Sequence, residues 1–223
     1  MTWVQDNIAR LRKDLPENVT LVCVSKFHPA TLIGQAYEAG ERHFGESRVQ
    51  EMVEKHKALP EDIHWHFIGH LQTNKVRQIV PFVSLIHGVD SLRLLDEINK
   101  EALKIGRVVP VLLEVHVAQE ETKSGFSVEE IADLQPLIEL NHAAPLLREY
   151  PGLNICGIMG MASNTDDEAQ IRQEFSMLRI MHHNLFPHGG VLSMGMSGDY
   201  KIAIEEGANM VRIGSSIFGE RNY

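Results

Sequence analysis

The chain has only two cysteines, no apolar stretch approaching the ~18 residues of a membrane helix, and no run of lysine or arginine. Each shortage removes a class of protein. Cys23 and Cys156 sit in strand-like apolar runs, Leu21-Val-Cys-Val and Leu153-Asn-Ile-Cys-Gly. They are expected as buried small hydrophobes in a reducing compartment, not as a disulfide or a metal site. Met1-Thr-Trp-Val-Gln-Asp-Asn has neither the basic nor the apolar region of a signal peptide, so a cytoplasmic location is expected. With 21 basic and 30 acidic residues the formal charge is −9, which argues against general binding to nucleic acid or to a membrane surface. A local basic pocket for a small anion stays compatible with that balance. There is also no internal linker, repeat or low-complexity tract.

What remains is an ordinary globular composition, 43% hydrophobic over 223 residues, enough for one sizeable core and a single domain spanning 1–223. Val4, Ile8, Leu11 and Leu15 recur at helical spacing and predict an amphipathic helix ahead of the first strand. Strand-like runs follow near 20–25, 42–45, 64–68, 83–87, 108–115, 153–158, 190–192 and 209–213. Helical patterns lie between them at roughly 30–39, 47–58, 73–80, 91–105, 127–140, 165–185, 199–206 and 215–219. Alternation of this kind predicts a parallel sheet with crossover helices, and eight such units suggest an α/β fold closed as a (β/α)8 barrel. An open doubly wound sheet fits the same periodicity. Punctuation sets the boundaries: Pro29 opens a helix, Gly40 and Gly106 close helices, and Asp90-Ser91 caps the helix beginning at Leu92. Thr165-Asp-Asp-Glu168 matches a capping box, and Asn141–Gly152, with Pro145 and Pro151, reads as a turn.

The chemistry concentrates at the predicted C-terminal ends of the strands, where barrels gather their functional groups. Those ends carry Lys26, Glu46, His70, His87 or Asp90, Glu114 or His116, Met159, Ser193 with Ser197, and Arg212. Val191-Leu-Ser-Met-Gly-Met-Ser-Gly-Asp199 and Val211-Arg-Ile-Gly-Ser-Ser-Ile-Phe-Gly219 both run from a strand into small hydroxylated residues and then a helical pattern. Backbone N–H groups, serine hydroxyls and a helix N-terminus together favour an anion, usually phosphate. Lys26 at the mouth of an apolar barrel is a candidate Schiff-base amine, or else a rim lysine paired with a carboxylate such as Glu46. Arg212 is a ligand contact or the partner of a strand-end carboxylate. His64-Trp65-His66 and the group His182, His183 and His188 lack the carboxylate or thiolate of a closed zinc site, so core or solvated histidine is expected.

The motifs Val24-Ser-Lys26, Phe44-Gly-Glu46, Val49-Gln-Glu51, Trp65-His-Phe-Ile-Gly-His-Leu-Gln-Thr-Asn-Lys75, Lys123-Ser-Gly-Phe126 and Gly157-Ile-Met159 occur in order, ahead of the two terminal blocks. Together they resemble the YggS/PROSC type of pyridoxal phosphate homeostasis protein over roughly residues 20 to 221. The resemblance implies the alanine racemase N-terminal type of TIM barrel and pyridoxal 5′-phosphate (PLP) bound as an internal aldimine. By that likeness Lys26 is the aldimine lysine, Ser197, Gly214 and Ser215 hold the phosphate, and Arg212 faces the pyridine nitrogen. Ser47 and Arg48 depart from the Asn and Tyr that usually follow Phe-Gly-Glu, which removes one expected contact.

A permanent guanidinium charge beside the pyridine nitrogen disfavours its protonation and makes the ring a poorer electron sink. Racemases of this fold also use a tyrosine from a second domain. Here the sequence ends at Tyr223, and Tyr37, Tyr150 and Tyr200 have no motif to place them at the pocket. The expectation is therefore a non-catalytic carrier that buffers PLP and supplies apo-enzymes, as a monomer or weak homodimer. The alternatives are an amino-acid racemase completed by His70 or a partner residue, and a cofactor-free aldolase acting on a sugar phosphate through Lys26.

Overall fold

The computed structural model describes residues 1–118, 124–143 and 149–220. Lys123 of the Lys-Ser-Gly-Phe motif, Tyr223 and part of the expected 141–152 turn lie outside them. Eight parallel strands close in sequence order into a barrel, β1 pairing with β8, which settles the choice between open and closed sheets. The strands are β1 Thr20–Val24, β2 His43–Glu46, β3 His64–Phe67, β4 Leu85–Val89, β5 Val109–Val115, β6 Leu153–Gly160, β7 Val191–Ser193 and β8 Met210–Ile213. The helices are α1 Trp3–Asp14, α2 Ala30–Glu38, α3 Val49–Ala58, α4 Val76–Ile79, α5 Leu92–Lys104, α6 Val128–Asp133, α7 Gln135–Ala143, α8 Glu168–Leu185, α9 Tyr200–Glu205 and α10 Ser215–Phe218. Among the described residues no helix is long and apolar enough to cross a membrane.

Alternation along the strands divides the core into two layers. Outward residues such as Leu21, Phe44, Trp65, Ile86, Leu113, Ile158, Leu192 and Val211 pack with the helices in one large apolar cluster. Inward residues Val22, Leu85, Leu112, Met159 and Met210 form a small separate cluster within the barrel. Cys156, Met161 and Val191 pack against this inner cluster, and several of the other inward positions are polar. His43, His66, His87, Glu114, Ser193 and Arg212 alternate with outward neighbours on their own strands.

Several boundaries differ from the sequence reading for identifiable reasons. The helix expected over 127–140 is broken into α6 and α7 near Leu134, just ahead of Pro136, whose ring cannot continue a helix from the preceding turn. The pattern at 73–80 is a 3-10 turn, Thr73–Lys75, followed by the single turn α4. The capping box at Thr165 is not formed. Asp167 is the N-cap of α8, its carboxylate accepting from the N–H groups of Ala169 and Gln170, while the Thr165 hydroxyl accepts from the Asp167 N–H. Ser91 is the N-cap residue of α5 by backbone, yet its hydroxyl donates to Asp90 instead of capping the helix. Capping boxes do form at the start of α1, between Thr2 and Gln5, and at the start of α6, between Ser127 and Glu130.

Candidate active site at the C-terminal mouth

Strands β7, β8 and β1 are adjacent, so their C-terminal loops form one continuous wall. After β7 the chain turns at Gly195, whose φ of +93° suits glycine, and a Cβ there would come within 2.6 Å of the Ala203 Cβ. Asp199 closes this turn by accepting the Met196 N–H at 2.6 Å. The Arg212 N–H donates to the Gly195 carbonyl, tying the turn to β8. The two terminal loops then meet: the Gly214 and Ser216 N–H groups both point to the Ser197 Oγ, at 3.3 and 3.5 Å. Both contacts are longer than an ordinary N–H···O bond, so these donors are aimed at one spot and only weakly satisfied there. Ser215 opens α10 and is exposed. Because α10 is a single turn of four residues, the anion-binding capacity here comes from individual N–H groups and hydroxyls rather than from a long helix dipole.

Arg212 points into the barrel and is 4% exposed. Its Nη1 donates to the Ser193 carbonyl at 2.9 Å and the Ser193 Oγ at 2.7 Å, and its Nη2 to the Gly160 carbonyl at 3.1 Å. Among the described residues none of these acceptors is a carboxylate, so the ion-pair role considered for Arg212 is not the one observed. Burial lowers its pKa to about 10, partly offset by the more distant Asp199 and Glu114, which leaves it charged at neutral pH. Three of the five guanidinium hydrogens are thus committed to fixing the group by neutral oxygens.

Lys26 is half-buried in the turn immediately after β1. The turn is held from outside the barrel by groups the sequence reading had not assembled. Lys55, on the inner face of α3, donates to the Ser25 carbonyl at 2.8 Å, to Glu46 at 2.7 Å and to Glu51 at 2.6 Å. The Ser25 hydroxyl donates to the same Glu46 oxygen at 2.6 Å, and the Phe27 N–H donates to Glu51 at 2.7 Å. Phe27 adopts a left-handed φ of +68°, an unusual conformation for a bulky residue. The guanidinium of Arg48 lies 4.4 Å over its ring. Arg48, one of the two departures from the expected motif, therefore covers the residue next to Lys26. Ser47, the other, sits so close to Gly69 that a Cβ there would be 2.6 Å from the Ser47 carbonyl oxygen.

Glu46 turns outward to Lys55, and burial raises its pKa to about 7 against the opposing pull of Lys55. Its second oxygen, Oε2, is buried and has no hydrogen-bond partner among the described residues. Glu114 faces the barrel interior, accepts from Ser124 at 3.2 Å, and is likewise pushed up to about 7 by burial. His70 is exposed and paired with Asp90 at 2.8 Å. The tyrosines considered as second bases point elsewhere: the hydroxyls of Tyr37, Tyr150 and Tyr200 donate to Asp62, Asp96 and Asp14. His182 stacks on Phe186, and His66, expected as a core or solvated histidine, lies buried in the barrel interior between His43 and His87.

The model of the alanine racemase N-terminal domain matches residues 2–222. The pyridoxal phosphate homeostasis protein of Aquifex aeolicus is 42% identical over 211 residues, covering 91% of this chain and 87% of that protein. The structure of PipY from Synechococcus elongatus with PLP bound superposes with a TM-score of 0.82 at 36% identity, covering 97% of this chain and all, 100%, of PipY. Alanine racemase from Clostridium difficile shares the fold, with a TM-score of 0.77 at 15% identity, over 99% of this chain and 57% of the racemase.

Proposed function

This chain belongs to the pyridoxal phosphate homeostasis protein family, on the alanine racemase N-terminal-domain fold, and on that premise we propose that it is a single-domain PLP carrier. In this reading it holds the cofactor at the C-terminal mouth, buffers it in the cytoplasm and yields it to apo-enzymes. The observation that carries the reading is the convergence of the Gly214 and Ser216 N–H groups on Ser197, beside an arginine whose acceptors among the described residues are neutral. A phosphate oxygen is a stronger acceptor than a serine hydroxyl and suits donors that now make only long contacts.

PLP supplies an aldehyde that amines capture reversibly and an aromatic ring able to draw electrons from what is attached. Lys26 would offer the amine, on a turn that Lys55, Glu51 and Arg48 hold from behind. Ser197, Gly214 and Ser215 would bind the phosphate, and Arg212 would face the ring nitrogen. A guanidinium that stays charged at neutral pH disfavours a proton on that nitrogen, which restrains electron withdrawal and suits storage better than turnover. The tyrosine hydroxyls committed to Asp62, Asp96 and Asp14 support the same conclusion, since none is available as an opposing acid or base.

Titration of the purified protein with PLP tests the proposal. A visible absorbance band should appear, vanish in Lys26→Ala, and weaken in affinity when Ser197→Ala and Ser215→Ala are combined. Fast exchange of amino-acid Cα hydrogen in D2O would instead establish a racemase. Sugar-phosphate cleavage without any bound chromophore would establish the aldolase.

A further inference from the structure

The polar residues inside the barrel form one continuous line. The His43 Nδ1 meets the His66 Nε2 at 2.9 Å, and the His66 Nδ1 meets the His87 Nε2 at 2.9 Å. The His87 Nδ1 then meets the Ser193 Oγ at 3.1 Å, and that oxygen accepts from Arg212 at 2.7 Å. The line starts at the first residue of β2, at the N-terminal mouth, and crosses β3, β4 and β7 to reach Arg212 near the end of β8. His66 is 3% exposed and His87 and Ser193 are 0% exposed, so water cannot satisfy any nitrogen that the line leaves unpaired.

The donors and acceptors allow one direction. A serine hydroxyl has one hydrogen, and Ser193 already accepts from a permanent donor, Arg212. If His87 also donated into Ser193, the hydroxyl hydrogen would be left without an acceptor among the contacts of the described residues. With the hydroxyl donating to the His87 Nδ1, every contact along the line pairs one donor with one acceptor. The His87 Nε2–H then donates to the His66 Nδ1, and the His66 Nε2–H donates to the His43 Nδ1. Each imidazole is neutral and carries its hydrogen on Nε2. The surroundings favour neutrality: His43 faces His64 and Arg12, His66 faces His43, His64 and His87, and His87 faces His66 and Arg212. Burial lowers all three, His43 to about 4 and His66 to about 3, and no carboxylate of the described residues is among the groups that shift them.

We propose that His43, His66, His87 and Ser193 are positioning residues: they form a directed hydrogen-bond line that holds the Ser193 Oγ as an acceptor and so fixes the guanidinium of Arg212. Its benefit to the cofactor rests on the reading of Arg212 given above, but the line itself does not. Without it the serine hydroxyl could turn its hydrogen towards Arg212 and repel the group it now orients. The remaining Arg212 donors would lose their aim.

Imidazole 15N–1H correlation spectra of the intact protein without cofactor test the line directly. The expected result is that His66 and His87 are neutral Nε2–H tautomers from about pH 8 down to about pH 5. An Nδ1–H tautomer on either, or an imidazolium at about pH 6, overturns the proposal. The second arm uses the PLP-loaded protein. In Ser193→Ala and His87→Phe, PLP affinity should fall roughly tenfold or more, and the 15N resonance of the ring nitrogen should move towards the protonated value. A purely structural role would leave that resonance in place, and unchanged affinity and resonance in a folded variant overturn the positioning role. If neither variant folds, the tautomers of the unaltered chain decide. Failure of the unaltered protein to bind PLP refutes the cofactor reading and leaves the tautomer result standing.

Discussion

Replacing Lys55 with methionine removes the cation behind the Lys26 turn while keeping much of the side chain's volume. Lys55 is 7% exposed and Glu46 is 0% exposed, so this is a buried pair, further engaged by Ser25 and Glu51. Removing one partner of such a pair costs about 3–5 kcal/mol when the other charge must stay buried. Glu46 can escape part of that cost by taking up a proton, since burial already holds its pKa at about 7 and Lys55 is the main influence lowering it. The expected loss is therefore about 3 kcal/mol near pH 8, the lower end of that range. The pH sign follows from the same shift. A carboxyl raised from 4.5 to about 7 destabilises the fold above its folded pKa, and that penalty is relieved as pH falls from there towards 4.5. In Lys55→Met the penalty is larger, so the gap from the parent protein should narrow on acidification. Urea denaturation followed by the fluorescence of the buried Trp65 reports both values. Adding Glu46→Gln removes the stranded charge and should recover most of the loss. A cost below about 1 kcal/mol, or one that neither pH nor Glu46→Gln alters, would refute the clamp.

Two further substitutions probe the mouth. Gly195→Ala puts a side chain at φ +93° and within 2.6 Å of Ala203, so it should cost more than about 1 kcal/mol and weaken PLP retention through the β7 loop, read by thermal melts and absorbance. Glu114→Gln should stabilise the protein in alkaline solution. The carboxyl is raised from 4.5 to about 7, so its ionisation opposes folding above that value by up to roughly 3 kcal/mol. The advantage of the variant should fade as pH falls towards 4.5, and melts at several pH values check it.

Much of the architecture was legible because a barrel repeats one simple pattern. All eight strands appear where apolar runs predicted them, with shifts of about two residues at β4 and at the end of β6. Local competition set the errors. Pro136 broke a helix whose apolar spacing continued through it, and Asp167 outcompeted Thr165 as a cap because its carboxylate reaches two backbone N–H groups. The candidate site was legible where short runs of small hydroxylated residues mark the two terminal loops, which the fold brings together at Ser197 and Gly214. It was opaque where function needs residues from distant strands. Lys55 looked like one more helix lysine until closure set it under Ser25, thirty positions earlier in the chain. His66 looked incidental because its partners come from β2 and β4, and the line to Arg212 also requires β7 and β8. A signal was present in the inward phase of those positions, each two residues from an apolar or polar inward neighbour, but periodicity does not report which inward groups touch.

The proposed function depends above all on capture of PLP by Lys26 at this mouth. Borohydride reduction of the loaded protein, followed by digestion and mass spectrometry, tests it most directly. The expected result is a single phosphopyridoxyl group on the peptide containing Lys26, and none after Lys26→Ala. Modification of Lys55 or of surface lysines in its place, or no modification at all, would contradict it.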